Sequence, residues 1–285
     1  MFDNYVVLLG TKGGPAIRPG SSMPTSNLIC LNGLQIVLDC GLGVTKGLVS
    51  QGMQLKDLSV IFISHLHSDH YLELGPLIYT AWTAGLKTPI DIYGPYRLES
   101  YWHNFVASMK DDIDLRIEDE GRPDLRDLIL FHVVDEGLVM EKAGIVITAL
   151  RTKHPPLIDS FAYSFKTESA HVVFSGDTAP MEALENFARG ADLLVHEAML
   201  RSALPSLMER VGNGSDKLMA HFLRSHTFAS DAAKTAKQAG VQHLALSHLI
   251  PSDDPSYSDQ DWRDAVAPNW DGQLSVGRDG TKIYL

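Results

Sequence analysis

The chain has 285 residues, enough to bury a sizeable core without disulfides or structural metals. Its 45% apolar and 21% charged residues suit a globular protein, and no apolar run reaches the length of a membrane span. A formal net charge of −11 with no basic run disfavours nucleic acid as a partner. Cys30 and Cys40 are too few for a disulfide framework and read as small buried hydrophobes of a reducing compartment. The N-terminal "MFDNYVVLLG" lacks the pattern of a secretory signal, so a cytoplasmic protein is expected.

Apolar runs alternate with turn signals along the whole length, without linker or repeat, so residues 1–285 read as one domain. "YVVLLG", "NLICLN", "LQIVLDCG" and "LSVIFISH" are strand candidates separated by Gly, Pro and Asn clusters. Helical patterns follow at "GVTKGLVSQG" and "GPLIYTAWTAG". From Ile113 to Phe165 the alternation predicts successive strands: "IDLRIEDE", "LILFHVVDEG", "GIVITALRT" and "SFAYSFKT". The last third repeats the rhythm of strand then helix, with "HVVFSGDT" before "PMEALENFARG", "ADLLVHEAM", and "ASDAAKTAKQAG" before "VQHLALSHLI". Ser230 or its neighbour Ala229 is expected to cap that penultimate helix, and Gly240 to end it. Two sheet-rich halves with helices outside predict a layered α/β sandwich, four layers deep with two sheets inside.

The run "IFISHLHSDHY", Ile61 to Tyr71, has no explanation in packing. His65 and His67 stand two apart at the exit of an apolar strand, and Asp69 and His70 follow where the chain turns. Imidazoles and a carboxylate at this density suit Zn²⁺, or Mn²⁺, Fe²⁺ and Co²⁺, which accept the same donors. His154 in "TKHPPL", Asp177 in "FSGDT" and His248 in "LALSHLIP" each follow another apolar strand, and strand tips on one rim can assemble a site from distant sequence. These are too many ligands for one tetrahedral ion. They suit two ions about 4 Å apart, as in hydrolases acting on phosphoryl and acyl groups. His196, Glu197 and His226 form a second tier, in which a carboxylate could poise a histidine for proton transfer to a leaving group; His196 could equally be a satisfied buried histidine. His103, His132, His171 and His243 show no partner pattern, and His221 leans the same way.

Taken together, His65-x-His67-x-Asp69-His70, His154, Asp177 and His248 resemble the metallo-β-lactamase superfamily. The match is most specific to its ribonuclease Z branch, through "LLGTKGGP", "VLDCGLG", "ISHLHSDHYLELGPL", "IDIYGP", "FSGDTAP", "DLLVHEA" and the His226 segment. The resemblance implies an αββα metallo-β-lactamase sandwich with its metals at one rim. It further implies that His65, His67 and His154 hold one ion, that Asp69, His70 and His248 hold the other, and that Asp177 bridges them. Water acidified by the ions would give the hydroxide nucleophile, with Asp69 orienting it or taking the proton, and His226 assisted by Glu197 would protonate the leaving oxygen. Two divalent ions, Zn²⁺ foremost with Mn²⁺ or Fe²⁺ as alternatives, are the expected cofactors, and the branch's habit of pairing points to a homodimer.

Three departures weigh against a transfer-RNA substrate. The long insertion that ribonuclease Z enzymes use to grip transfer RNA is reduced to Glu168–His171; no Arg-Tyr pair follows His248, where "HLIPSDDPSYSDQDW" stands; and the chain is acidic. The expected function is therefore a dinuclear metal-dependent hydrolase of a small-molecule ester-type bond, whether phosphodiester, lactone or carboxyl ester, or aryl sulfate. The alternative is a ribonuclease Z-type nuclease acting on RNA 3′ ends. Tyr71, Trp82, the "YWHNF" segment, Tyr257, Trp262 and Trp270 are the aromatic candidates for lining a substrate pocket.

Overall fold

In the computed structural model, which describes residues 3–211 and 216–285, the apolar runs become two seven-stranded sheets stacked face to face. The first sheet takes β1 (Tyr5–Gly10), β2 (Ser26–Leu31), β3 (Leu34–Cys40), β4 (Val60–Phe62), β5 (Ile90–Gly94) and β6 (Ile129–Val133). The chain then crosses to the second, built from β7 (Gly137–Lys142), β8 (Ile145–Arg151), β9 (Phe161–Lys166), β10 (His171–Phe174), β11 (Leu193–Met199), β12 (His243–Ile250) and β13 (Gln273–Val276). Finally β14 (Thr281–Tyr284) returns to pair antiparallel with β1. Each sheet begins as antiparallel hairpins and becomes parallel toward its far side, from β3 to β6 and from β10 to β13.

Strand alternation explains the layers. Val7, Leu9, Leu28, Cys30 and Val37 face outward to helices, while Val6, Leu8, Ile29, Leu31, Ile36 and Leu38 face the other sheet. Both faces are apolar because both are covered, which is why these strands read as near-continuous hydrophobic runs. Between the sheets Phe62 stacks on Tyr93 at 4.7 Å and meets Tyr163 edge-on at 5.2 Å; burying each such ring contributes roughly 1.5–3 kcal/mol. On the first sheet lie α1 (Val44–Ser50), α3 (Leu74–Thr83), α4 (Leu98–Ser108) and α5 (Lys110–Glu120), with the one-turn α2 (Ser68–Tyr71) at the rim. On the second lie α6 (Glu182–Phe187), α9 (Ala229–Ala239) and α10 (Asp259–Val266), whose Leu184, Ala232, Ala236 and Trp262 share one cluster. The result is the αββα sandwich. Cys30 and Cys40 are free and buried in it, and no helix among the described residues is long and apolar enough to cross a membrane.

One expectation fails: "IDLRIEDE" is not a strand but most of α5. The alternation Ile113, Leu115, Ile117 mimics a strand, but the helix buries Ile113 and packs Ile117 beside it, leaving Leu115 61% exposed. Helix-spaced ion pairs decide the matter: Lys110 with Asp114, Arg116 with Asp112 at 3.0 Å and Arg116 with Glu120 at 2.7 Å. At α9 the N-cap is Phe228, without a side-chain cap, whereas Gly240 closes the helix in the left-handed conformation as expected. Outside the four layers, α7 (Leu204–Val211) and α8 (Asp216–Ser225) stand over one rim on their own small apolar cluster.

Candidate metal centre

The predicted ligands arrive at the same rim from four strand tips. After β4 the chain runs out through His65 and His67, and α2 begins there, so one turn of helix presents Asp69 and His70. β8 delivers His154, β10 delivers Asp177, β11 carries Glu197 and β12 carries His248. Gly176 holds the Asp177 turn with φ 55, and a Cβ there would come within 2.5 Å of the Phe161 carbonyl oxygen, so only glycine fits. His248 itself has φ 44, a left-handed conformation that costs about 1–3 kcal/mol and turns its ring toward the rim.

The donor atoms form two groups that meet at Asp177. His67 Nδ1 lies 3.2 Å from His65 Nε2 and 2.9 Å from His154 Nε2. His248 Nε2 lies 3.3 Å from Asp69 Oδ2, and His70 Nε2 is 3.6 Å from the same oxygen. Asp177 Oδ2 is 3.6 Å from His65 Nε2 and 3.2 Å from His248 Nε2, while its Oδ1 is 3.5 Å from His70 Nε2. His65, His67, His154 and Asp177 could hold one metal ion and Asp69, His70 and His248 another, while Asp177, His226 and His248 make a third group of the same kind.

The rings are fixed from behind. His154 Nδ1 donates to the Ser225 carbonyl at 2.9 Å, and His70 Nδ1 to Asp39 at 2.8 Å, which turns their Nε2 atoms toward the cluster. Asp39 also accepts from the Ser64 N–H at 2.7 Å, just ahead of His65. Burial lowers the proton affinity of His65 and His67 and takes His154 down to about 4, so these imidazoles stay neutral. Burial also resists charge on Asp177, but its histidine neighbours, His248 and His70 foremost, outweigh it and hold this carboxylate well below its usual range. The buried His70 Nε2 and His248 Nε2 have no hydrogen-bond partner among the described residues. Convergent bare nitrogens, carboxylates between them and orphaned buried atoms fit a divalent cation.

Beside the cluster His226 Nδ1 bonds Glu197 Oε2 at 2.9 Å, and Glu197 Oε1 accepts the Thr178 N–H at 2.5 Å. Burial works against charge on His226, but Glu197, through its charge and its hydrogen bond, and Asp177 push it up to about 9. The ring is an imidazolium at neutral pH with Nε2 turned from Glu197. His196 is the satisfied buried histidine: its Nδ1 bonds the Glu197 carbonyl at 2.8 Å, and burial lowers it to about 4.

A cavity of about 470 Å³ opens above the cluster, within the range for a drug-sized ligand. Its floor holds His67, Asp69, Asp177, His226 and His248; Lys12 and Arg18 stand on one wall, and Leu207, Val211, Leu218 and Phe222 of α7 and α8 on the other. None of the aromatic candidates lines it: Trp82 and Trp262 are core, Tyr71 packs on Tyr101 at 5.0 Å, and Phe222 is the aromatic on the wall. His221 also lines the cavity, its ring centroid 5.5 Å from His226 and 6.1 Å from His67. The signal for it was the helical spacing of Leu218, His221, Phe222 and Ser225 on one face of α8.

The fold is shared with the metallo-beta-lactamase fold protein YhfI from Bacillus subtilis, with a TM-score of 0.74, 20% identity and coverage of 99% of this chain and 100% of that one. Human tRNase Z, short form, matches with a TM-score of 0.66 and 21% identity over 98% of each chain. A ribonuclease Z from Mycobacterium bovis is 30% identical over 284 residues, 98% of either chain. Fold, site and this relative make the protein a metal-dependent hydrolase of the metallo-β-lactamase superfamily, in its ribonuclease Z-like branch. Within that superfamily the chain belongs to the family described as anti-Pycsar protein Apyc1, whose family model matches residues 6–258. The Mycobacterium bovis relative spans 98% of both chains, so no long insertion separates the two. The short turn between β9 and β10 therefore does not set this chain apart from a ribonuclease Z of that kind.

Proposed function

We propose that the protein hydrolyses a small phosphodiester with two divalent ions, Zn²⁺ foremost and Mn²⁺ or Fe²⁺ accepted by the same donors. His65, His67 and His154 would hold one ion, Asp69, His70 and His248 the other, with Asp177 shared. When bound, such ions supply positive charge that polarises a phosphoryl oxygen and acidifies water. The observation that carries the reading is the Glu197–His226 pair, whose imidazolium faces the cavity at the edge of the cluster. An alkoxide leaving group needs a proton, and His226 Nε2 gives it as the P–O bond breaks. Asp69, ionised and fixed by the Gly14 N–H at 2.7 Å, orients the attacking water and takes its proton as the new P–O bond forms.

The size of the cavity and its mixed basic and apolar lining favour a small substrate with one anionic end and one apolar or aromatic end. Relatives named ribonuclease Z favour a second reading, cleavage at RNA 3′ ends. Parallel assays of metal-loaded protein on bis(p-nitrophenyl) phosphate, on a small diester with an alkyl leaving group and on precursor transfer RNA separate them. We expect turnover of both small diesters and none of the RNA; RNA trimming without small-diester turnover reverses the assignment.

A further inference from the structure

Lys12 and Arg18 both line the cavity, but their charges are met differently. The Arg18 guanidinium lies 3.2 Å from Asp253, a carboxylate that Arg210 also holds at 3.2 Å. Lys12 is only 4% exposed, yet among the described residues no carboxylate oxygen lies within 4.0 Å of its ammonium. Its side-chain hydrogen bond runs to the neighbouring Gly13 carbonyl at 3.0 Å. An ammonium carries three donors, so two remain unspent beside the ligand cluster. Burial disfavours this charge, and Asp253 and Asp69 offset it only from beyond ion-pair distance, so no direct counter-ion neutralises it.

The backbone holds this residue against the site from both sides. At Gly13 a Cβ would come within 2.9 Å of the His248 ring, and the Gly14 N–H bonds Asp69. On the other side the Lys12 N–H donates to the Met23 carbonyl at 3.0 Å, and Thr25 Oγ1 donates to the Lys12 carbonyl at 3.2 Å. The loop therefore cannot shift away from the cavity without disturbing two ligand residues.

We propose that Lys12 is the residue that recognises the substrate's negative charge: its free donors bind a non-bridging phosphoryl oxygen at the edge of the metal cluster. This rests on the phosphodiester reading and makes the site selective for anionic esters over neutral ones. Lysine suits the task as a compact point charge with rotatable donors.

The test compares wild type, Lys12→Met and Lys12→Arg, all metal-loaded, by calorimetric titration with inorganic phosphate and by kinetics on bis(p-nitrophenyl) phosphate and neutral p-nitrophenyl butyrate. We expect Lys12→Met to weaken phosphate binding at least five-fold and to lower kcat/KM for the diester at least ten-fold. Butyrate hydrolysis should change less than two-fold, metal content and melting temperature should be retained, and Lys12→Arg should regain part of the loss. Unchanged phosphate affinity in Lys12→Met overturns the assignment. So does an equal loss on both esters, which would mark Lys12 as a strut for the loop. If the wild type leaves every diester intact, the phosphodiester reading fails by itself, and the phosphate titration still decides the role of Lys12.

Discussion

The floor of the cavity and its walls are built by different means. The floor is a set of strand tips: buried, cross-braced by Asp39, Ser64 and Ser225, and within reach of one another because two sheets end at one rim. The walls are a glycine loop on one side and two amphipathic helices on the other, resting on a small apolar cluster of their own. Chemistry sits where the scaffold is stiffest, and selectivity sits where a few side chains can change without moving a ligand.

Breaking the floor should cost most. Asp177→Ala removes the carboxylate shared by both ligand groups and is predicted to lower turnover roughly 10³-fold, with fewer ions per chain by elemental analysis. Next is the proton donor. His226→Ala should cost roughly 10²–10⁴-fold on a diester with an alkyl leaving group but far less on bis(p-nitrophenyl) phosphate, whose leaving group needs no proton. Equal losses on the two substrates would remove His226 from that role. The pH profile sharpens the same point. A histidine raised toward 9 keeps its proton below that pH and loses it as pH rises through it, so general-acid activity falls on the alkaline side. Glu197→Gln removes the partner that raises His226 and should move that limb toward lower pH; an unmoved limb assigns it to another group.

A brace behind the floor is worth less than a ligand. Asp39→Asn should leave the fold intact and weaken metal affinity roughly 10–100-fold in a competitive chelator titration, because one amide oxygen must replace the two that serve the Ser64 N–H and the His70 ring. The walls come last: Phe222→Ala should raise KM for an aryl diester roughly ten-fold with kcat little changed. A fall in kcat instead would place α8 in the chemistry and dissolve the distinction between floor and wall.

The same contrast explains what the sequence could show. His65, His67, Asp69 and His70 are contiguous, and His154, Asp177 and His248 each end an apolar run, so strand alternation alone delivers them to one rim. Lys12, Arg18 and Phe222 have no such signature: whether a lysine after a strand or a phenylalanine on a helix faces a cavity depends on packing that a single chain does not spell out. Asp39 lay inside a recognisable segment, but its service to His70 is a contact across 31 residues. In α5 three apolar residues at alternate positions satisfy strand spacing, and only its charge pairs at four-residue spacing argue for a helix.

The most direct measurement titrates Zn²⁺ or Mn²⁺ into chelator-stripped protein while following both bound metal and hydrolysis of bis(p-nitrophenyl) phosphate. The account predicts that activity appears only as metal binds and reaches its plateau at two ions per chain. Full activity in the stripped protein, or a plateau at one ion with the second without effect, would contradict it.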